Sequence, residues 1–316
     1  HSFNAGVEFG FWGGRLAGSV EYFSRKTTDM LYYMPSPNTI GYAYYPTNVG
    51  SVRNSGVEVD LSSTIFRTRH VTWTLNANLT YLKNKIIELD ESLHGEWIDG
   101  SRIYREGESM YQMYLRKYAG VNSSGEATWY KADGTTTSDY ATADRFATGD
   151  LLPKVYGGFG TSLEAYGIDF SIAFAYQLGG KIYDNTYAVL MHSGTASSAG
   201  SNWHKDILRA WQIGDEAGST DVPRLFSSDN YANSLSDRFL TSSNYLDITN
   251  ITVGYTLPRS WTSKIRIAKL RLYMAADNVA LFAKRKGLDP RQSYTAAGNY
   301  RYAPIRTISG GINLTF

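Results

Sequence analysis

From residue 71 to 81 the chain alternates without a break. Val71, Trp73, Leu75, Ala77, Leu79 and Tyr81 are apolar, and Thr72, Thr74, Asn76, Asn78 and Thr80 separate them. Side chains two apart share one face of a strand, so this pattern predicts a strand with an apolar face and a small polar face. The same period of two recurs at 168–178, where Ile168, Phe170, Ile172, Phe174, Tyr176 and Leu178 alternate with Asp169, Ser171, Ala173, Ala175 and Gln177. Shorter stretches at 16–23, 57–62 and 307–316 repeat it. At 244–258 and 264–278 the alternation slips partway, as a bulge would cause. No comparable stretch carries a helical stripe, although 202–213 predicts a short loop helix.

Nine strands follow from this reading: 2–12, 14–25, 51–67, 70–83, 154–166, 167–179, 244–258, 264–278 and 303–316. Their connections are alternately short (at Gly13, 68–69, 166–167 and 259–263) and long (26–50, 84–153, 180–243 and 279–302). Consecutive antiparallel strands place odd and even connections at opposite ends, so all the short turns share one end and all the long loops the other. A soluble sandwich also alternates, but its loops need not segregate by length. Here the polar face of Thr, Ser, Asn, Asp and Glu is too hydrophilic for a packed core. Both features fit an all-β transmembrane antiparallel barrel with apolar residues outward, short periplasmic turns and long extracellular loops. Phe316 is then the barrel's terminal aromatic, expected at the periplasmic rim as its C-terminal signal.

Composition narrows the rest. The longest apolar runs are four to six residues, too short for a membrane helix. A formal charge of +2 argues against a nucleic-acid partner, and the absence of Cys excludes disulfides, thiolate zinc sites and thiol nucleophiles. The chain begins on His1 in a strand-like pattern with no starting Met or apolar leader, so it reads as a mature or internal fragment. Nine strands leave two bare edges, which a bilayer does not tolerate. A closed barrel of only nine would barely hold its own side chains. The remaining strands are expected from another polypeptide or from a part of this one outside these residues.

Several runs resemble the SusC/RagA group of TonB-dependent outer-membrane transporters. They are NVGSVRNSGVEV at 48–59, EGESMY at 106–111 leading to Gly120-Val121, GDLLPK at 149–154 leading to GGF at 157–159, and YQLGGKIYD at 176–184. YLDITNITVGYTLP at 245–258, DNV at 277–279, GLDP at 287–290 and the terminal INLTF complete the series in the family's order. The resemblance implies a barrel of about twenty-two strands around an N-terminal plug, with residues 1–316 as its C-terminal portion and last nine strands. It also implies import of glycan or peptide oligomers driven through TonB, a SusD-like surface lipoprotein on the long loops, and the outer membrane of a Gram-negative bacterium of the Bacteroidota. The plug, the TonB box and the first dozen or so strands have no counterpart in these residues.

Catalytic signals are few. His70, His94, His192 and His204 lack a metal-ligand spacing. Ser193 adjoins His192 without a third partner for a nucleophile. Asp133, Gly134 and Asp139 lack the ligand spacing and closing Glu of a calcium loop. The glycine pairs 157–158 and 179–180 precede no helix and suit strand bends rather than phosphate cradles. No cofactor, metal or catalytic residue is therefore expected. The candidates for solute contact are the long-loop aromatics Tyr42, Tyr44, Tyr45, Trp97, Tyr104, Trp129, Tyr130, Trp203 and Trp211, whose faces could stack on sugar rings or peptide side chains. The alternative for each is girdle, loop packing or lid contact. In the lumen the candidates are Glu58, Asp60, Asn76, Asn78, Asp169 and Gln177, which could instead bond the plug or water. A passive porin and a barrel-type outer-membrane hydrolase remain as other classes; the first would lack the ordered family runs, and the second would need a His-centred constellation at the rim.

Overall fold

The computed structural model describes residues 1–36, 38–48, 50–226, 231–291 and 304–316. Nine strands form one antiparallel sheet in which each pairs with its sequence neighbour. They are β1 (Ser2–Phe11), β2 (Leu16–Thr27), β3 (Gly50–Arg67), β4 (Val71–Leu89), β5 (Val155–Ala165), β6 (Ile168–Leu178), β7 (Tyr245–Thr256), β8 (Lys269–Ala283) and β9 (Thr307–Thr315). The strand expected from Ala303 runs from Thr307, and Ala303 itself lies outside the described residues.

Register turns the alternation of each strand into two chemically distinct faces. One row across the sheet reads Val7, Val20, Val59, Leu79, Gly157, Tyr176, Leu246 and Phe282. The next row, on the other face, reads Glu8, Ser19, Asp60, Asn78, Gly158, Ala175 and Asp247. Among the described residues no protein layer covers the apolar face, where Val7 is 67% exposed and Leu79 36%. A one-residue slip would send every apolar side chain to the polar side. The slips expected in the seventh and eighth strands are real. The register shifts where Ala173 pairs with Asn250 but Phe174 with Ile248, and again across β7 and β8, where Asn278 takes a φ of 52°.

Several boundaries differ from the periodic pattern; β2 is shifted by two residues and β8 runs on past 278 to Ala283. β4 continues to Leu89, because residues 86–89 pair with the start of β3. β8 begins at Lys269 rather than 264. Pro258 opens a helical turn, Arg259–Thr262, followed by a 3-10 turn, Ser263–Ile265, and Arg266 at φ 56° cannot continue a strand.

The protein's own hydrophobic clusters lie in the long loops, with Val52 and Ile86 at the loop ends of β3 and β4. The loop between β4 and β5 folds into a four-stranded sheet (Glu96–Asp99, Arg102–Arg105, Gln112–Arg116, Arg145–Asp150) and a three-stranded one (Tyr118–Val121, Ala127–Tyr130, Thr136–Thr137). The loop between β6 and β7 holds a helix, Asn185–Leu190, that the periodicity did not signal, and the segment read as a loop helix contains a 3-10 turn, Lys205–Arg209. These two loops share one core: Met113, Leu115 and Leu151 of the first pack with Tyr183, Tyr187, Met191, Val222 and Phe239 of the second.

Candidate functional site

The candidate residues on the polar face and in the loops bonded to it fall into three sets. The first is the wall. Glu58 lies in register with Glu21 and Thr80, and Asp60 with Ser19 and Asn78. Like charges opposite one another repel, so Glu21 and Glu58 favour a polar, hydrated or cation-bearing surround. Asp60, Asn76 and Asn78 border a recess of about 500 Å³ with Glu8 and Ser62. The Asn78 side-chain oxygen accepts from the Gly158 amide at 2.8 Å. Asp169 holds a bidentate pair with Arg271, 2.8 Å from Nε to Oδ1, reaching across the intervening strand above Gly254. Gln177 is buried and donates to the Ser243 hydroxyl at 2.9 Å. Of the six lumen candidates, Asp60, Asn76 and Asn78 are exposed, Glu58 and Asp169 are half-buried, and Gln177 is buried.

The second set ties loops to the wall. Asn84 donates to Asn54 at 2.8 Å, while its oxygen accepts from the Met110 amide at 2.9 Å. The Glu108 carbonyl accepts from the Ile86 amide at 2.8 Å, so the EGESMY run folds back on the inner wall. Arg291 joins the buried Asp247 of β7 at 2.8 Å to Asp289 at 2.6 Å. Burial alone would raise the Asp289 carboxyl, but hydrogen bonds from Arg291 hold it below its usual value. Arg285 meets Asp184 at 3.1 Å and lies 3.8 Å above the Tyr187 ring. Asp184 also caps the loop helix, accepting from the Tyr187 amide at 3.0 Å. Sequence reasoning missed Arg271, Arg285 and Arg291, because each has a partner on another strand or loop; a Gly at the polar-face position 254 was one local signal.

The third set is the aromatics, which divide sharply. Trp129 and Trp211 are 2% and 8% exposed, and Trp211 packs flat against Gly125. Trp97 stacks on the buried Tyr104 at 4.9 Å, and Tyr32 meets Trp97 edge-on at 4.4 Å. The Tyr32 hydroxyl donates to Asp99 at 2.8 Å; its pKa is pushed well above the ordinary value, first by burial and then by that carboxylate. Those four candidates therefore serve as loop core. Tyr130 is half-buried beside Lys117. Tyr42, Tyr44, Tyr45 and Trp203 remain exposed, and Trp203 stacks on His192 at 5.0 Å. Among the described residues no group of His, Asp and Glu is arranged to hold a metal.

Comparison with known proteins gives this geometry a family. Residues 1–279 match the model of the TonB dependent receptor-like β-barrel. TonB-dependent receptor P3 of Formosa agariphila is 27% identical over 98% of the chain, covering 33% of that receptor. TonB-dependent receptor SusC of Bacteroides thetaiotaomicron is 25% identical over all of it, covering 32%. A solved RagAB peptide transporter superposes over the full chain with a TM-score of 0.85 and 28% identity, covering 35% of that structure's chain. The chain thus spans about a third of the length of these relatives. On fold, motif order and these matches together, the chain belongs to the TonB-dependent receptor-like β-barrel family, in its SusC/RagA branch.

Proposed function

We propose that this chain forms nine strands of the C-terminal barrel wall of an outer-membrane importer for oligomeric nutrients. The observation that carries the reading is the segregated sheet: one face apolar and uncovered, the other polar, with short turns at one end and folded loops at the other. Further strands and a plug, on this polypeptide or another, close the barrel, since bare edges in hydrocarbon cost several kcal/mol per backbone group, on the order of a lost hydrogen bond or more. A SusD-like lipoprotein covers the long loops, and TonB drives release through the plug. The protein acts as a transporter rather than an enzyme and resides in the outer membrane of a Bacteroidota bacterium. Its solute is a peptide or a glycan oligomer; the likeness to a peptide transporter supports the first, and the resemblance to SusC-type systems leaves room for the second.

The exposed loop aromatics Tyr42, Tyr44, Tyr45 and Trp203 stack on the solute at the mouth, and Glu58, Asp60 and Asn76 hydrogen-bond it or the plug along the wall. Residues 1–316 contain no Cys, which simplifies a topological test of this part of the wall. Single cysteines at Ser138 or Ser197 should react with an impermeant thiol reagent on intact cells, while one at Ser260 should not. Equal labelling at both ends would overturn the orientation. Mass spectrometry of solutes that co-purify with the assembled complex, and their loss when TonB is deleted from an uptake assay, would identify the cargo class.

A further inference from the structure

The four short connections carry a charge pattern that import does not use. Residues 12–15, 68–70, 166–167 and 257–268 contain Arg15, Arg69, Arg259, Lys264 and Arg266, and no Asp or Glu. All five are exposed. None forms an ion pair among the described residues, whereas Arg105, Arg209, Arg224, Arg285 and Arg291 in the loops each meet a carboxylate. The nearby acids Glu164 and Asp169 sit on the inward face, and Asp169 is taken by Arg271. Three of the same four connections also expose an aromatic ring: Trp12 at 75%, Tyr166 at 76% and Trp261 at 61%.

The last connection is built to present its ring. Pro258 accepts from the Trp261 amide at 2.9 Å, and Thr262 is buried, its carbonyl accepting from the Ile267 amide at 3.1 Å. Arg266 at φ 56° then returns the chain to β8. Trp261 thereby stays exposed in a connection that also exposes Arg259, Lys264 and Arg266. An exposed indole at the end of a strand pair, in a connection that also carries unpaired cations, suits the boundary of a bilayer, where the ring sits among headgroups and the cations reach phosphates. The rings recur from the β1–β2 turn to the β7–β8 turn, six strand spacings or roughly 30 Å along the rim. That spread follows a planar layer rather than a single protein contact.

We propose that this short-turn rim binds the headgroups of anionic phospholipids, with the 257–268 connection as its main contact. The inference rests on the reading that the apolar face lies in a bilayer. The test uses the assembled transporter containing this chain, placed in phosphatidylcholine nanodiscs with or without phosphatidylglycerol, and native mass spectrometry of the lipids retained. Binding of short-chain phosphatidylglycerol is measured alongside phosphatidylcholine and inorganic phosphate. The wild type should prefer phosphatidylglycerol to phosphatidylcholine at least about tenfold, since each cation beside an anionic surface is worth about fivefold in partition. The combined variant Arg259→Gln, Lys264→Gln, Arg266→Gln should lose that preference, and Trp261→Ala should weaken both lipids alike. Lys286→Gln, in the last long loop, should change neither. Equal binding of both lipids by the wild type, an unaltered preference in the triple variant, or inorganic phosphate competing as well as the lipid would each overturn the proposal. Failure to enter phosphatidylcholine nanodiscs at all would instead count against the membrane reading itself.

Discussion

The wall and the canopy of this protein are stabilised by different solvents. In the wall, large apolar side chains such as Val7, Trp73 and Leu75 stay uncovered, and order comes from the hydrogen-bonded ladder of nine strands. In the canopy, Trp129, Phe239, Ile103 and Leu151 are almost wholly buried, and loops far apart in sequence share one core. The wall keeps its apolar surface for lipid, while the canopy must fold as a water-soluble domain does. Separate perturbations should therefore fail in separate places.

The largest effect is expected in the canopy. Phe239 is fully buried, with the rings of Tyr183 and Tyr187 at 6.3 and 5.9 Å. Phe239→Ala should cost about 3–5 kcal/mol of local stability through lost burial and a cavity. Hydrogen exchange should rise in both 90–154 and 179–244, because the two loops share that core, while amides of β3 to β6 remain protected. Exchange confined to one loop would show that the canopy is two independent units.

Next comes the wall. Leu75→Arg or Ile172→Arg places a charge on the apolar face and should cost about 2–4 kcal/mol on refolding into vesicles. The adjacent changes Asn76→Arg and Ser171→Arg, on the opposite face, should cost much less. Equal penalties would reverse the assignment of the two faces.

The unequal legibility of these regions has the same physical origin. Wall strands announce themselves because lipid on one side and water on the other impose a strict period of two; all nine were readable, down to the slips in β7 and β8. The canopy has no such external field. Trp97, Tyr104, Trp129 and Trp211 look like binding aromatics in sequence, yet they are loop core, because their burial depends on partners such as Tyr32 and Gly125 that are distant in the chain. Helix Asn185–Leu190 is too short to show a stripe and is fixed by its Asp184 cap and by packing on Phe239. The strand expected from 264 misled in the other direction, since residues 259–265 form helical turns closed by the left-handed Arg266.

Where wall and canopy meet, a carboxylate should make the join sensitive to acid. Asp289 has a folded-state value below its unfolded one, so its contribution is complete above about pH 4, the ordinary carboxylate value, and is lost as pH falls through the folded value. Its partner Arg291 stays charged throughout and is partly exposed, so the join is worth about 1–2 kcal/mol. Protection of the amides of residues 284–291, taken relative to intrinsic exchange at each pH, should fall below about pH 4 in the wild type. In Arg291→Gln that protection should already be low at pH 7, with little further change in acid. Wild-type protection that does not respond to acid would place the join elsewhere.

The smallest effect tests whether the wall holds any side-chain interaction worth keeping. Asp169 and Arg271 reach each other over Gly254, where a Cβ would stand 2.5 Å from the Asp169 Oδ1 and 2.6 Å from an Arg271 guanidinium nitrogen. Both charged side chains are more than two-thirds covered, so their pairing survives better than a surface ion pair but is still partly screened. Gly254→Ala forces the pair upward and should cost about 1 kcal/mol, less whatever the extended backbone gains from losing a glycine. Asp169→Ala alone removes the pair and should cost a similar amount. In the double variant the added methyl has nothing left to displace, so the two losses should not add, and the shortfall measures the coupling between pair and glycine. An Asp169→Ala variant as stable as the wild type in a urea titration of the refolded barrel would mean that the pair merely occupies the space above Gly254. Strand pairing and lipid alone would then account for the wall, and the contrast with the ion-paired canopy would be complete.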